Sequence, residues 1–346
     1  MGFLEEVENV LRNQEGGGPD FRLCDYFDLI GGTSAGATIA AGLALGFSVA
    51  DLLETYRILA KDAFEGSRWH GGILSPKFKG ENVDRIIRKM IGHRRLGSDE
   101  VRTGLAIAAK RIDTGSPWVF HNNPRSKYFD PPEDDPGAFA NRDYEIAQIL
   151  RASTAAPTYF EPEEIQVTEE FRGLFVDGGV SPYNNPALLL ATMATSKAYG
   201  YGWPSGPENL SIFSVGTGIY TPQHTVTSFL RLPSSLQAIH ALESMITDTM
   251  WQAQAILQWL GTSQNPWEID SEAGTLANEL PAAPPLFKYE RFDIKLDREW
   301  LRSNIGADVT QKELEVLAQL DRPEMVDRLL GLARQAARQQ VHANLF

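Results

Sequence analysis

From Leu29 to Ala50 the chain runs for 22 residues without a charged side chain, and nine of them are Gly, Ser or Thr. Length alone would let such a run cross a bilayer. Its small and polar residues instead fit a buried strand, a tight turn and a buried helix. The turn is Gly32-Thr33-Ser34-Ala35-Gly36, which matches G-x-S-x-G. In that context a sharp strand-to-helix turn lifts a serine hydroxyl clear of the sheet edge, and the flanking glycines let neighbouring backbones approach. The helix that follows aims free N–H groups and its positive dipole end at the reacting oxygen. A tight packing turn and a phosphate-binding loop are the other readings of such a segment. No lysine follows Ser34, which disfavours a Walker-type nucleotide loop.

The rest of the chain alternates strands with helices, the pattern of an α/β layer architecture. Helices are predicted over Phe3–Asn13, Ala35–Leu45, Glu81–Met90, Ile146–Ala155 and Ser235–Leu260, with Ser48 capping another. Strands are predicted over Asp25–Ile30, Leu105–Ala109, Trp118–Phe120, Gly173–Val176 and Ser211–Val215. Asn185 and Pro186 open a further helix as cap and first residue, and Thr310/Glu313 and Asp321/Glu324 are spaced as capping boxes. Arg125–Asn141, with Pro131-Pro132 and Pro136-Gly137, reads as an exposed loop. No repeat or dividing linker appears, so 1–346 is expected to form one domain. Its catalytic part would be 1–220, and 221–346 a mainly helical extension.

A nucleophilic serine needs a base. The six histidines are His70, His93, His121, His224, His240 and His342. None stands in a strand-end loop after an acidic partner, the order expected of α/β-hydrolases. Asp177 is the better candidate. It ends the apolar strand Gly173-Leu174-Phe175-Val176, and Gly178-Gly179 leave room for another segment beside it. Such a carboxylate could take the Ser34 proton directly and return it to the leaving group. An aspartate capping a turn is the plainer alternative.

Together Gly32-Thr33-Ser34-Ala35-Gly36 and Asp177-Gly178-Gly179 resemble the patatin-like phospholipases, which use a Ser–Asp dyad without histidine. Asp25–Ile30, Arg151–Phe160, Asn184-Asn185-Pro186-Ala187 and Ser214-Val215-Gly216-Thr217-Gly218 resemble further segments of that family in the same order. The resemblance covers about Gly2 to Tyr220. It implies Ser34 as nucleophile and Asp177 as base, with Gly32, Ala35, Gly36, Gly178 and Gly179 as motif and oxyanion support. It also implies a three-layer sandwich whose mostly parallel central sheet is flanked by helices.

The family's Asp-Gly-Gly-Gly-x-Arg-Gly oxyanion loop follows a first strand. Here Met1-Gly2-Phe3-Leu4-Glu5-Glu6 resembles the helix after that loop, so first strand and loop are expected to be missing. Either an incomplete N-terminus or a genuine short form with little activity would account for this. Glu15-Gly16-Gly17-Gly18-Pro19 lies on the wrong side of the helix and reads as an ordinary loop. Loss of one oxyanion donor typically costs about 2.7–4 kcal/mol of transition-state stabilisation.

The expected function is therefore a serine lipid acyl hydrolase of phospholipase A or lysophospholipase type, acting on glycerolipid or phospholipid. The alternative is a catalytically impaired lipid-binding protein of the same fold. No cofactor or metal is implied, and Asp134-Asp135 is a weak calcium signal. With 32 basic against 45 acidic residues the net charge is −13. That argues against nonspecific nucleic-acid binding and against a purely electrostatic hold on anionic membranes. Transient contact with a membrane surface stays open. Ile239, Leu242, Ile246, Met250, Ala253, Ile256, Leu257 and Leu260 follow one stripe of the long helix. Trp251, Trp259 and Trp267 recur beside it. A packed core helix is the favoured reading, an acyl-chain groove or interfacial lid the other. The single cysteine, Cys24, excludes an internal disulfide. The first residues lack a secretory leader, so a cytoplasmic or peripheral-membrane location is expected.

Overall fold

Leu105, Ile107 and Ala109 alternate with Ala106 and Ala108 along a strand whose two faces are both apolar, and all five residues are buried. This strand, β2 (Gly104–Arg111), organises the sheet. The computed structural model describes residues 1–64, 81–221, 229–277, 279, 281, 284–319 and 322–346. On one edge β2 pairs in parallel with β1 (Leu29–Thr33), from Leu29 opposite Gly104 to Thr33 opposite Ala108. On its other edge lies the antiparallel β3 (Ser116–His121). Where β1 ends, β5 (Arg172–Asp177) takes over the same edge in the opposite direction, with Asp177 opposite Ala109. The antiparallel β4 (Glu163–Gln166) completes the sheet beside β5.

The sheet is thus mixed rather than mostly parallel. Short turns at Asp113-Thr114-Gly115 and after Val167 join β2 to β3 and β4 to β5, and connections that short can only join antiparallel strands. Helices α2 (Ala35–Ala44), α4 (Glu81–Ile91) and α5 (Ile146–Ser153) cover one face. There Ala37, Ile87, Ile146 and Ile149 share a core with Ile107, Phe120 and Phe175. On the other face, Leu189 and Met193 of α6 (Ala187–Thr195) pack on Ala106 and Ala108. Helix, sheet and helix make the three layers of an α/β sandwich.

A second, parallel pair of strands, β6 (Ser211–Val215) and β7 (Lys288–Phe292), packs against α6. It also packs against the end of α7 (Ser234–Leu260), through Leu257. The expectation of a mainly helical segment after residue 220 did not include β7. After β7 come α8 (Arg298–Ile305), α9 (Gln311–Leu317) and α10 (Val326–Gln340). α1 (Gly2–Gln14) lies on α10, where Arg334 grips Glu5 with two bonds of 2.7 Å. Beside them α3 (Val49–Phe64) starts at Ser48, whose hydroxyl accepts from the Asp51 amide.

Two boundaries differ from the sequence reading. Leu23–Asp25 is a 3-10 turn, and the strand expected over Asp25–Ile30 instead runs Leu29–Thr33. Asp25 is held in the turn by the Arg22 amide, and the Phe27 ring packs on Phe213 rather than continuing a ladder. Pro186, expected as the first helical residue, instead holds the cap position of α6, and Asn185, expected as the cap, lies one residue before it and accepts from the Ala187 amide. Thr310 caps α9 through the Glu313 amide. Asp321 lies outside the described residues.

Candidate active site

The β2 register brings two distant residues to one point. β1 delivers Ser34 immediately after Thr33, opposite Ala108, and β5 arrives from the other direction with Asp177 opposite Ala109. Their side chains meet. The Ser34 Oγ donates to Asp177 Oδ2 at 2.5 Å.

Ser34 holds φ at 57° and ψ at −129°, a conformation that residues other than glycine rarely adopt. Such strain costs on the order of 1–3 kcal/mol and persists only where the surroundings over-determine it. Gly32 is one reason it persists. A Cβ there would lie 2.1 Å from the Gly36 carbonyl oxygen, so only glycine lets strand and helix close on the serine. The same turn places Ala35 and Gly36 in the first turn of α2. Their amides have no carbonyl earlier in the helix to bond, and they add to its positive end beside the hydroxyl. Gly36 faces open space, with nothing within 4 Å of where a Cβ would stand.

Asp177 is buried, 3 % exposed. Burial pushes its pKa up from 3.8 to about 6, opposed by the bonds it accepts from Ser34 and from the Gly179 amide. The carboxylate is therefore charged at neutral pH yet close enough to its midpoint to accept a proton readily. Gly178 lies so near β2 that a Cβ would be 2.4 Å from the Ala108 carbonyl oxygen. Gly179, expected among the oxyanion supports, donates its N–H to Asp177 Oδ1 at 2.7 Å. That amide orients the Asp177 carboxylate and is not free to bind a developing oxyanion. Ala35 and Gly36, also in the expected set, open α2 directly after Ser34, where first-turn amides have no intrahelical acceptor.

Among the described residues no histidine bonds Ser34 or Asp177. His93 bonds Glu145 and His240 bonds Glu243. His121 is buried against Tyr199, and burial lowers its pKa to about 4. His70 and His224 lie outside the described residues. Asp134 pairs with Lys127, and no cluster of metal-binding side chains occurs among the described residues. Glu15–Pro19 forms the loop that ends α1, with Gly16 at positive φ.

The long helix divides in two. Its C-terminal half is core, through Ala253, Gln254, Leu257 and Gln258. From Ser234 to Trp251 no residue is buried, and Leu242 and Met245 are both 62 % exposed. This half stands beside the site, since Asn184 Nδ2 donates to the Ile246 carbonyl and Asn184 Oδ1 lies next to Gly179. The three tryptophans do not form one patch. Trp251 and Trp267 line a small cavity of about 10 Å³ with Met250 and Arg291, Trp267 stacks on Trp300, and Trp259 turns to solvent. No described helix is long and apolar enough to cross a membrane.

Two contributors went unrecognised in the sequence. The Ser153 hydroxyl accepts from the Ser34 amide at 2.9 Å, and the Asp177 amide donates to the Ala155 carbonyl at 3.0 Å. The available signal was a hydroxyl at the end of α5, which is otherwise largely Ile, Ala and Leu.

A family model described as patatin-like phospholipase matches residues 1–191. The chain is 31 % identical over 194 residues to a cGAMP-activated phospholipase of Escherichia coli (strain TW11681), covering 55 % of this chain and 50 % of that protein. It is 29 % identical over 208 residues to Patatin-T5 of Solanum tuberosum, covering 57 % and 48 % respectively. Patatin-15 of the same plant is 31 % identical over 234 residues, covering 63 % and 54 %. The chain spans about half the length of the curated relatives it matches.

Proposed function

As the chain belongs to the patatin-like phospholipase family, we propose that it is a lipid acyl hydrolase of phospholipase A or lysophospholipase type, working through a Ser34–Asp177 dyad. The observation that carries this reading is the 2.5 Å bond between a strained, half-buried serine and a buried carboxylate. In the first half-reaction Ser34 Oγ attacks the ester carbonyl carbon, and its proton passes to Asp177 Oδ2. The carbonyl oxygen gains the negative charge, which the Ala35 amide and the α2 dipole favour. The tetrahedral adduct then breaks its bond to the leaving alcohol, which takes the proton from Asp177, and Ser34 is left acylated. In the second half water adds to the acyl carbon and gives a proton to Asp177. The carboxylic acid departs, and the proton returns to Ser34.

The substrate reading is a glycerolipid or phospholipid met at its own surface, by transient peripheral contact. The family supports the lipid, and the exposed apolar half of α7 beside the site supports the surface. A non-catalytic lipid-binding role has one observation in its favour: the Gly179 amide is committed to Asp177, which leaves fewer donors for an oxyanion. A short-chain p-nitrophenyl ester and phospholipid vesicles decide between them, with wild type, Ser34→Ala and Asp177→Asn compared. Hydrolysis that both substitutions abolish supports the enzyme. Equal background in all three, with vesicle binding retained, overturns it in favour of binding alone.

A further inference from the structure

Ser34 and Asp177 sit at the ends of different strands, which the sheet relates to one another through the shared β2. Their separation has to be right to within tenths of an ångström for a direct proton transfer. The Ser34 amide is also difficult to satisfy. β1 has ended at Thr33, and as the cap residue of α2 Ser34 has no carbonyl earlier in that helix for its N–H to bond.

Both backbones are met by one short piece of chain. Ser153, wholly buried in the last turn of α5, uses its hydroxyl twice: Oγ accepts from the Ser34 N–H at 2.9 Å and donates to the Ala108 carbonyl at 2.7 Å. Two residues on, the carbonyl of the equally buried Ala155 accepts from the Asp177 N–H at 3.0 Å. Ala108 is the β2 residue opposite the end of β1, and its neighbour Ala109 is opposite Asp177. Strand junction, serine and carboxylate are therefore all tied to the end of a single helix.

We propose that the end of α5 is a positioning brace, in which the Ser153 hydroxyl and the Ala155 carbonyl together set the Ser34–Asp177 separation. A hydroxyl is suited to the task because it donates and accepts at once. An alanine at 153 leaves the Ser34 N–H without this partner, and the turn shifts the serine to find another. Displacement of a reacting group by about 1 Å can cost about 10²-fold in rate. The brace rests on Ser34 and Asp177 being the reacting pair.

The test compares wild type, Ser153→Ala, Ser153→Thr, Ser34→Ala and Tyr144→Phe on a soluble ester. Tyr144→Phe removes a buried bond of similar length, to the Gln166 carbonyl at 2.7 Å, just before the other end of α5, and so controls for lost stability. In Ser153→Ala, kcat falls roughly 10- to 100-fold with KM nearly unchanged. The acidic midpoint of its pH profile rises as the Ser34 bond to Asp177 loosens. Ser153→Thr, which keeps the hydroxyl, recovers most of kcat, and Tyr144→Phe leaves kcat at the wild-type level. A readout free of turnover is amide hydrogen exchange. The Ser34 amide is protected in the wild type and loses protection in Ser153→Ala, but not in Tyr144→Phe. A wild-type kcat and midpoint in Ser153→Ala overturn the brace, as does a Ser34 amide that exchanges like an exposed loop in the wild type. An equal loss in Tyr144→Phe also overturns it. Activity that survives Ser34→Ala removes the dyad itself, a separate failure.

Discussion

Replacing Asp177 by asparagine should stop hydrolysis and stabilise the fold, and the second effect is the sharper test. The side chains are nearly the same size, and the carbonyl oxygen of the introduced amide can still accept from the Gly179 N–H in place of Oδ1. What disappears is a buried negative charge. Burial raises this carboxyl from 3.8 to about 6. At 1.36 kcal/mol per pH unit, the ionised group at neutral pH therefore costs the native state about 3 kcal/mol relative to the unfolded chain. The sign follows from proton binding. An acid whose pKa rises on folding holds its proton more tightly when folded, so native stability falls as pH climbs from about 4 to about 6, and the loss is complete above that. Wild type and Asp177→Asn should match in stability near pH 4. They should differ by roughly half of the full amount at about pH 5, and by about 3 kcal/mol at about pH 8, with the asparagine variant the more stable. Urea unfolding at those pH values measures the difference directly. The wild-type rate should rise through the same midpoint near 6, because only the carboxylate is a base. A gap that stays constant across the range, or an asparagine variant less stable at about pH 8, would refute the idea of a buried, raised carboxyl.

Strain at the serine predicts that Ser34→Gly unfolds at higher urea than Ser34→Ala, by about 1–2 kcal/mol, since only glycine adopts φ 57° without cost. Equal midpoints for the two would remove the strain. Gly32→Ala should destabilise by about 3 kcal/mol or more, because its Cβ meets backbone, the Gly36 carbonyl, at 2.1 Å rather than a side chain that can swing away. Thermal melting checks it, with Gly36→Ala as the contrasting variant that has open space around the new methyl. Leu242→Ser with Met245→Ser should lower the rate on phospholipid vesicles roughly tenfold while sparing a soluble ester. An equal fall on both substrates would mean that this half of α7 supports the fold rather than the encounter with lipid.

How much of this could be read from the sequence depended on how local the cause was. The elbow was legible because everything that makes it lies within Gly32 to Gly36, where two glycines flank a serine between an apolar strand and an apolar helix. Capping at Ser48 and Thr310 was legible for the same reason, since donor and acceptor are three residues apart. The meeting of β1 and β5 along β2 was not legible. It depends on register between segments more than 60 residues apart, and an apolar strand carries no mark of which neighbour will pair with it. The apolar stripe of α7 leaves a core helix and an interfacial lid both open, with core favoured, because periodicity records which residues share a face, not where the body beneath that face stops. The structure ends the packing between Trp251 and Ala253.

The residues that do the positioning are the ones least visible to motif reading. Ser34 and Asp177 each carry a cost, one in backbone strain and one in desolvation, and a fold of marginal stability keeps such costs only where surrounding contacts leave no lower-energy arrangement. Those contacts come from small residues. Gly32 and Gly178 admit backbone at distances a Cβ would forbid, and Ser153 fills a wholly buried site with a hydroxyl rather than a methyl group. Each is common in any sequence and inconspicuous in composition. Their significance emerges only once β2 has brought the strand ends together. At that junction a larger or less polar side chain would relax the turn, and in relaxing it would separate the serine oxygen from the carboxylate.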